Sequence, residues 1–258
     1  MQPQVPKISF VSDDYGESAQ TDRRIEKLAQ FGLVRNITVV GSSLLTATGF
    51  HKSRGNAGLT WGAHLFLTGY PLQSRNLRLF AERLGGSLDK RKLLRGLLCR
   101  AISCNDIVAE FEAQLQVLKY HGFEASFLDT HQNIHMIPMV YWSLRRVAIT
   151  HALLNRIRPT IQINFNLKPN TRTLLSGIAG ITTQRKRYSR VLVGCPGYRC
   201  EIVDLEAVRR EWATFLSKLR VRKYREIVVP VHPGLSPAEM TIYSDPKLLE
   251  LLSHWCIA

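Results

Sequence analysis

The chain has 258 residues, 45% of them hydrophobic and 21% charged, the make-up of an ordinary globular protein rather than a disordered one. No apolar run approaches the ~20 residues of a membrane helix, and Asp13 and Asp14 interrupt the N-terminal stretch too early for a signal peptide. A formal charge of +15 leaves two readings of the basic runs open: solvated faces, or attraction to an anionic partner such as nucleic acid, lipid headgroups or a phosphorylated substrate.

The five cysteines (Cys99, Cys104, Cys195, Cys200, Cys256) form no CxxC pair, so neither a disulfide framework nor a zinc ribbon is expected, and a reducing cytoplasm is the expected location. The length predicts one α/β domain over residues 1–258. Ile8, Phe10 and Val11 predict a first strand, which Asp13-Asp14-Tyr15-Gly16 breaks. The paired carboxylates read either as a turn or helix cap, with Asp14 or Ser18 capping a helix to about Phe31, or as chemistry. Gly32 is the expected end of that helix.

Asn36–Ser43 and Leu59–Thr68 predict the second and third strands. Residues 87–122 read as helical, and the best helix runs from Asn105, with Asp106 as its expected cap and Ile107, Val108, Phe111, Leu115 and Leu118 on one face. Ala125–His131 predicts a short strand, and Pro138 starts a helix from about Met139. Further strands are expected at TIQINF, RVLVG and EIVVPVH, and a last helix over Pro246–Ser253. Residues 166–190 are polar and irregular, an expected loop or insertion. Alternating strands and helices predict a parallel sheet or barrel with covered faces.

In such folds the strand C-termini converge on one face, where sites are built. Asp13 and Asp14 follow the first strand, His64 lies in the third, Asp129 and His131 end the fourth, and His232 ends the last. Each has a plain reading as well: His64 as a core histidine, His232 as a turn residue before Pro233-Gly234. His131 and His135 stand four apart, the spacing of two ligands on a helix face, although the segment is short. Together these carboxylates and imidazoles suit one divalent cation, zinc or a harder ion such as magnesium. A neighbouring carboxylate can then accept a proton from water, so Asp13 and Asp14 can divide the two tasks.

Four segments in order, VSDDYG, GAHLFLT, FLDTHQNIHMIP and VPVHPG, resemble motifs of the YdjC-like (ChbG/HpnK) carbohydrate deacetylases and span Val11 to Gly234. The resemblance implies a distorted (β/α) barrel related to the polysaccharide deacetylases, and metal-dependent removal of acetyl groups from N-acetylglucosamine-type sugars. It implies Asp14, His64 and His131 as metal ligands, Asp13 as general base and His232 as general acid. Asp129, His135 and Asn133 are expected around the metal or the substrate, with Asp129 orienting a histidine.

Asn133 stands where the family often has a further histidine, and the run after His232 lacks the family's Arg-x-x-Glu-Leu. The expected partners are an N-acetylated sugar or glycolipid, an anionic surface met by basic runs such as Lys90, Arg91 and Lys92 or Arg185, Lys186 and Arg187, and a second copy in a homodimer. The alternative is a catalytically degenerate barrel that binds an anionic glycan, lipid or nucleic acid.

Overall fold

The computed structural model describes residues 7–41, 58–158, 162–163, 190–193, 204–219, 226–233 and 237–253. In chain order the elements are β1 (Lys7–Tyr15), α1 (Ala19–Gln30), β2 (Val34–Val40), β3 (Thr60–Leu65), α2 (Arg75–Arg83), α3 (Lys90–Leu98), α4 (Cys104–Tyr120) and β4 (Leu128–Thr130). There follow α5 (Pro138–Thr150), β5 (Gln162–Ile163), β6 (Arg190–Val193), α6 (Leu205–Leu219), β7 (Glu226–Val231), α7 (Pro237–Tyr243) and α8 (Pro246–Ser253). A 3-10 turn spans His131–Met136.

Seven strands form one sheet in the order β4-β3-β2-β1-β7-β6-β5, and every pairing is parallel. That order is a circle of consecutive strands cut between β4 and β5. Across the cut, Leu128 of β4 bridges Ile157, and the Arg158 N–H donates to the Leu128 carbonyl at 2.9 Å. The expected distorted (β/α) barrel is the observed architecture. Both faces of β1 are covered: Ile8 and Phe10 are fully buried, and so nearly are Ser9 and Val11, as in sheets flanked by helices. Phe10 meets Trp212 of α6 and Tyr243 of α7 at ring-centroid distances of 6.0 and 5.4 Å.

Several sequence expectations change in detail. Ser18, not Asp14, caps α1, its hydroxyl accepting from the Thr21 N–H. Asp106 is not the cap of α4 either. Ser103 is, and Asp106 sits three residues in, returning a bond to the Ser103 N–H at 2.9 Å. The helical stretch over 87–122 splits at Cys99–Ser103, where Arg100 takes a φ of 55°. Helix α2 was not foreseen. Cys99 and Cys104 are free thiols. Cys195, Cys200, Cys256 and the expected insertion over 166–189, with its basic run at 185–187, lie outside the described residues. No helix among the described residues is long and apolar enough to cross a membrane.

Two buried polar side chains of α4 fix the loop after β3. Gln114 accepts from the Phe66 N–H at 2.9 Å and donates to the Phe66 carbonyl at 2.7 Å. Glu110 accepts from the backbone N–H groups of Gln73 and Ser74. Both ends of the connection that carries Thr68, Gly69 and Tyr70 are thereby held, and satisfying two buried polar groups on backbone sets its path. Gly69, with a φ of 85°, lies so near His131 that an added Cβ would stand 3.1 Å from Nε2. Only glycine meets both demands without strain.

Candidate active site

Adjacent residues of a regular strand point to opposite faces of the sheet. β1 escapes this at its end, where the register with β2 shifts between Ser12 and Tyr15 and Asp14 adopts a φ of 68°. The bulge turns both carboxylates to one side. Left-handed backbone at a non-glycine residue is uncommon, and such positions cluster at functional sites.

Asp14 Oδ1 lies 3.2 Å from His64 Nε2 and 3.4 Å from His131 Nδ1, and the two nitrogens are 3.4 Å apart. Donors bound to one cation at about 2.0–2.2 Å sit roughly 3.0–3.4 Å from one another, so this triangle fits a divalent ion. His64 and Asp129 are register partners on β3 and β4, and His64 Nδ1 stands 3.1 Å from Asp129 Oδ2. A proton on Nδ1 shared with that carboxylate leaves the Nε2 lone pair aimed at the triangle, the usual support of a metal-binding imidazole.

Within the same cluster Asp13 meets a different set of partners. Its Oδ1 accepts from Arg158 Nη2 at 2.5 Å and from Thr38 Oγ1 at 3.1 Å; its Oδ2 accepts from Arg158 Nη1 at 2.9 Å and lies 3.2 Å from His232 Nε2. Arg158 also reaches Asp129 Oδ2 at 2.7 Å, so one buried guanidinium bridges two buried carboxylates. Burial opposes ionisation of Asp13, but Arg158, His64 and His232 together hold its carboxyl well below the usual range. Burial likewise opposes the charge on Asp14, and the hydrogen bonds from His131 and His64 outweigh it.

His64 is subject to the reverse balance. Burial disfavours its protonation, yet Asp13 nearby and the bonds to Asp129 and Asp14 push it up to about 10. His232 is raised too, burial being overcome by Asp13. Behind it, Glu239 on α7 is fully buried and accepts from the His232 N–H at 2.5 Å, while its Oε1 has no hydrogen-bond partner among the described residues. Burial pushes Glu239 up to about 7. At the rim, the Tyr70 hydroxyl stands 3.1 Å from both Asp14 Oδ1 and Glu17 Oε1, and its ring lies edge-on to His131.

The structure thus brings Asp13, Asp14, His64, Asp129, His131 and His232 together. His135 takes another course. Gln132 and Asn133 adopt φ values of 55° and 54°, which break the helical spacing, and His135 turns into the core with Nδ1 at 2.5 Å from Thr130 Oγ1. Asn133 Oδ1 is buried without a hydrogen-bond partner among the described residues. Sequence reasoning missed Arg158 and Glu239. One signal was available for the first: several buried carboxylates at converging strand ends require a counter-charge.

A family model described as YdjC-like protein matches residues 7–254. A carbohydrate deacetylase of Clostridium beijerinckii is 27% identical over 56% of this chain and 57% of its own length. Carbohydrate deacetylase 1 of Listeria innocua is 29% identical over 52% of this chain and 54% of its own. The chain thus matches little more than half the length of these curated relatives. Among solved structures, a candidate cellobiose-phosphate cleavage protein of Enterococcus faecalis V583 superposes with a TM-score of 0.72 at 14% identity, covering 99% of this chain and 97% of the other.

Proposed function

Because the chain belongs to the YdjC-like protein family, we propose that it is a metal-dependent carbohydrate deacetylase that hydrolyses the acetamide of an N-acetylglucosamine-type sugar, oligosaccharide or glycolipid. The curated relatives named carbohydrate deacetylase support the reaction class. The observation that carries the reading is the pairing of a donor triangle, Asp14, His64 and His131, with a separate carboxylate, Asp13, flanked by a cation and an imidazole.

In this reading Asp14, His64 and His131 hold one divalent ion, magnesium or zinc. An ion held there supplies Lewis acidity, polarising an amide carbonyl and making water a nucleophile near neutral pH. Arg158 keeps Asp13 ionised, so its carboxylate accepts the proton that the attacking water releases. His232, on the far oxygen of Asp13, gives a proton to the sugar nitrogen as the C–N bond breaks. Water adds across that bond, and acetate and a free amine leave. Asp129 fixes the tautomer of His64, and Arg158 joins that support to the base.

The test is acetate release from N-acetylated chitooligosaccharides and glycolipids after chelation and re-addition of magnesium or zinc. Equal yields of acetate and amine, dependent on metal and lost in Asp13→Asn, are expected. Saturable sugar binding without acetate release under either metal refutes catalysis and favours the degenerate binding barrel, which the +15 charge would suit.

A further inference from the structure

Helix α3 turns Leu93, Gly96 and Leu97 to the core, and Gly96 packs so closely that an added Cβ would stand 2.7 Å from Ile102 Cδ1 and 3.1 Å from Phe80 Cζ. The helix is therefore seated, and its outward face is fixed. At ~100° per residue that face carries Lys90, Leu94, Leu98, Arg91 and Arg95 within an arc of about 140°. The two leucines lie between Lys90 on one side and Arg91 and Arg95 on the other. Leu94 is 44% exposed and Leu98 83%, an unusual presentation for side chains that gain by leaving water. On α2 the pattern recurs: Leu79, also exposed, has Arg75 and Arg83 four residues to either side. Residues 75–100 hold eight Lys and Arg against Glu82 and Asp89.

We propose that the outward face of α3 is a docking surface for an anionic lipid bilayer, holding whether or not the site deacetylates. Two features together favour a bilayer over nucleic acid. Cations alone would suit either, but a phosphodiester backbone gains nothing from protruding leucines, and this face presents no aromatic ring on which a base could stack. A bilayer takes both kinds of side chain: leucines enter the boundary of the acyl chains while Arg and Lys extend to the phosphates. The face is also placed to matter. α2 begins five residues after Tyr70, whose hydroxyl touches Asp14, so the α2–α3 pair belongs to the connection that leaves the candidate site.

The experiment is co-sedimentation of the full chain with vesicles of phosphatidylglycerol in phosphatidylcholine and with phosphatidylcholine alone. Binding to the anionic vesicles is expected, falling steeply between about 0.1 and 0.5 M salt. Leu94→Ser/Leu98→Ser and Lys90→Gln/Arg91→Gln/Arg95→Gln should each weaken it at least ~10-fold. Unchanged circular dichroism and melting confirm that the fold survives, and Leu98→Ser alone should weaken binding in the same sense. Equal binding to both vesicle types overturns the proposal, as does wild-type binding by the leucine variants. So does a dimer that the leucine variants dissociate while no vesicle binds, which would assign the face to a second copy. Duplex DNA bound equally by wild type and leucine variants, without vesicle binding, overturns it as well.

Discussion

Replacing Arg158 by methionine isolates what the buried guanidinium does. It bonds Asp13 through both terminal nitrogens and Asp129 through one, at 2.5–2.9 Å, with almost no exposure of its own. Methionine fills much of the volume but leaves two buried carboxylates without their cation. Breaking a buried ion pair from one side costs about 3–5 kcal/mol, so loss of stability in that range is expected at pH 7.5. The sign with pH follows from Asp13. In the wild type its folded pKa is depressed, so it adds stability above the unfolded value near ~3.9 that is lost as pH falls. In the variant burial acts with less opposition and the folded pKa rises. The deficit is then largest at neutral and alkaline pH and shrinks as acid protonates Asp13. Urea unfolding of both proteins from pH 5 to 8 measures this directly. Activity should fall by roughly 10²–10⁴, because a base that is protonated or displaced cannot serve. Arg158→Lys, which keeps charge but not the fork, should recover more stability than rate. A methionine variant within ~1 kcal/mol of wild type at pH 7.5, with a pH-independent difference and undiminished turnover, would refute the role.

The adjacent aspartates should separate by assay: Asp13→Asn keeps metal, measured by calorimetry, and loses about 10²–10⁴ in turnover, whereas Asp14→Asn loses metal affinity itself. With His64 pushed up to about 10, metal must displace its proton. Apparent affinity should therefore rise up to about tenfold per pH unit between pH 6 and 9, with close to one proton released in buffers of different ionisation enthalpy. Glu239, pushed up to about 7, ionises in the unfolded chain before the folded one, so it withdraws stability as pH rises from ~4.5 to ~7. Glu239→Gln keeps an acceptor for the His232 N–H and should melt higher than wild type at pH 8 but not at pH 5; a lower melting point at both would refute the assignment.

The sequence revealed the residues at strand ends because β-rich runs followed by polar residues are a local pattern, and parallel topology brings such ends together. Asp13, Asp14, His64, Asp129, His131 and His232 were all legible in this way. Local patterns say nothing of a bulge, so how neighbouring aspartates reach one site needed the φ of 68° at Asp14. The spacing of His131 and His135 suggested a shared face, but two left-handed residues between them send one to the triangle and the other to Thr130. Arg158 was hidden by its abundance. In a chain with 35 Lys and Arg, the need for a counter-charge does not say which residue supplies it, and it is the backbone bond from Arg158 to Leu128 that sets this one beside the buried carboxylates. Glu239 was hidden because it lies just past VPVHPG with no motif residue beside it, on a short helix that packs back behind His232.

The charges in the cluster would suit a cation better than a neutral ligand. Asp13, Asp14 and Asp129 are all buried, and Arg158 supplies one fixed positive charge among them. Asp13 and Asp129 share that guanidinium, while Asp14, among the described residues, is met by the imidazole nitrogens of His64 and His131 and by the Tyr70 hydroxyl. A proton on His64 offsets part of the remaining negative charge, and these neighbouring carboxylates are what push its pKa up to about 10. A divalent ion that took its place would find three donors already at coordination spacing and would need little rearrangement of side chains held by β1, β3 and the turn after β4. Asp129 then gains a second task. With His64 Nδ1 bonded to it, His64 can lose the Nε2 proton and keep its ring orientation, so exchange of that proton for a metal ion would take place at one atom of a fixed frame.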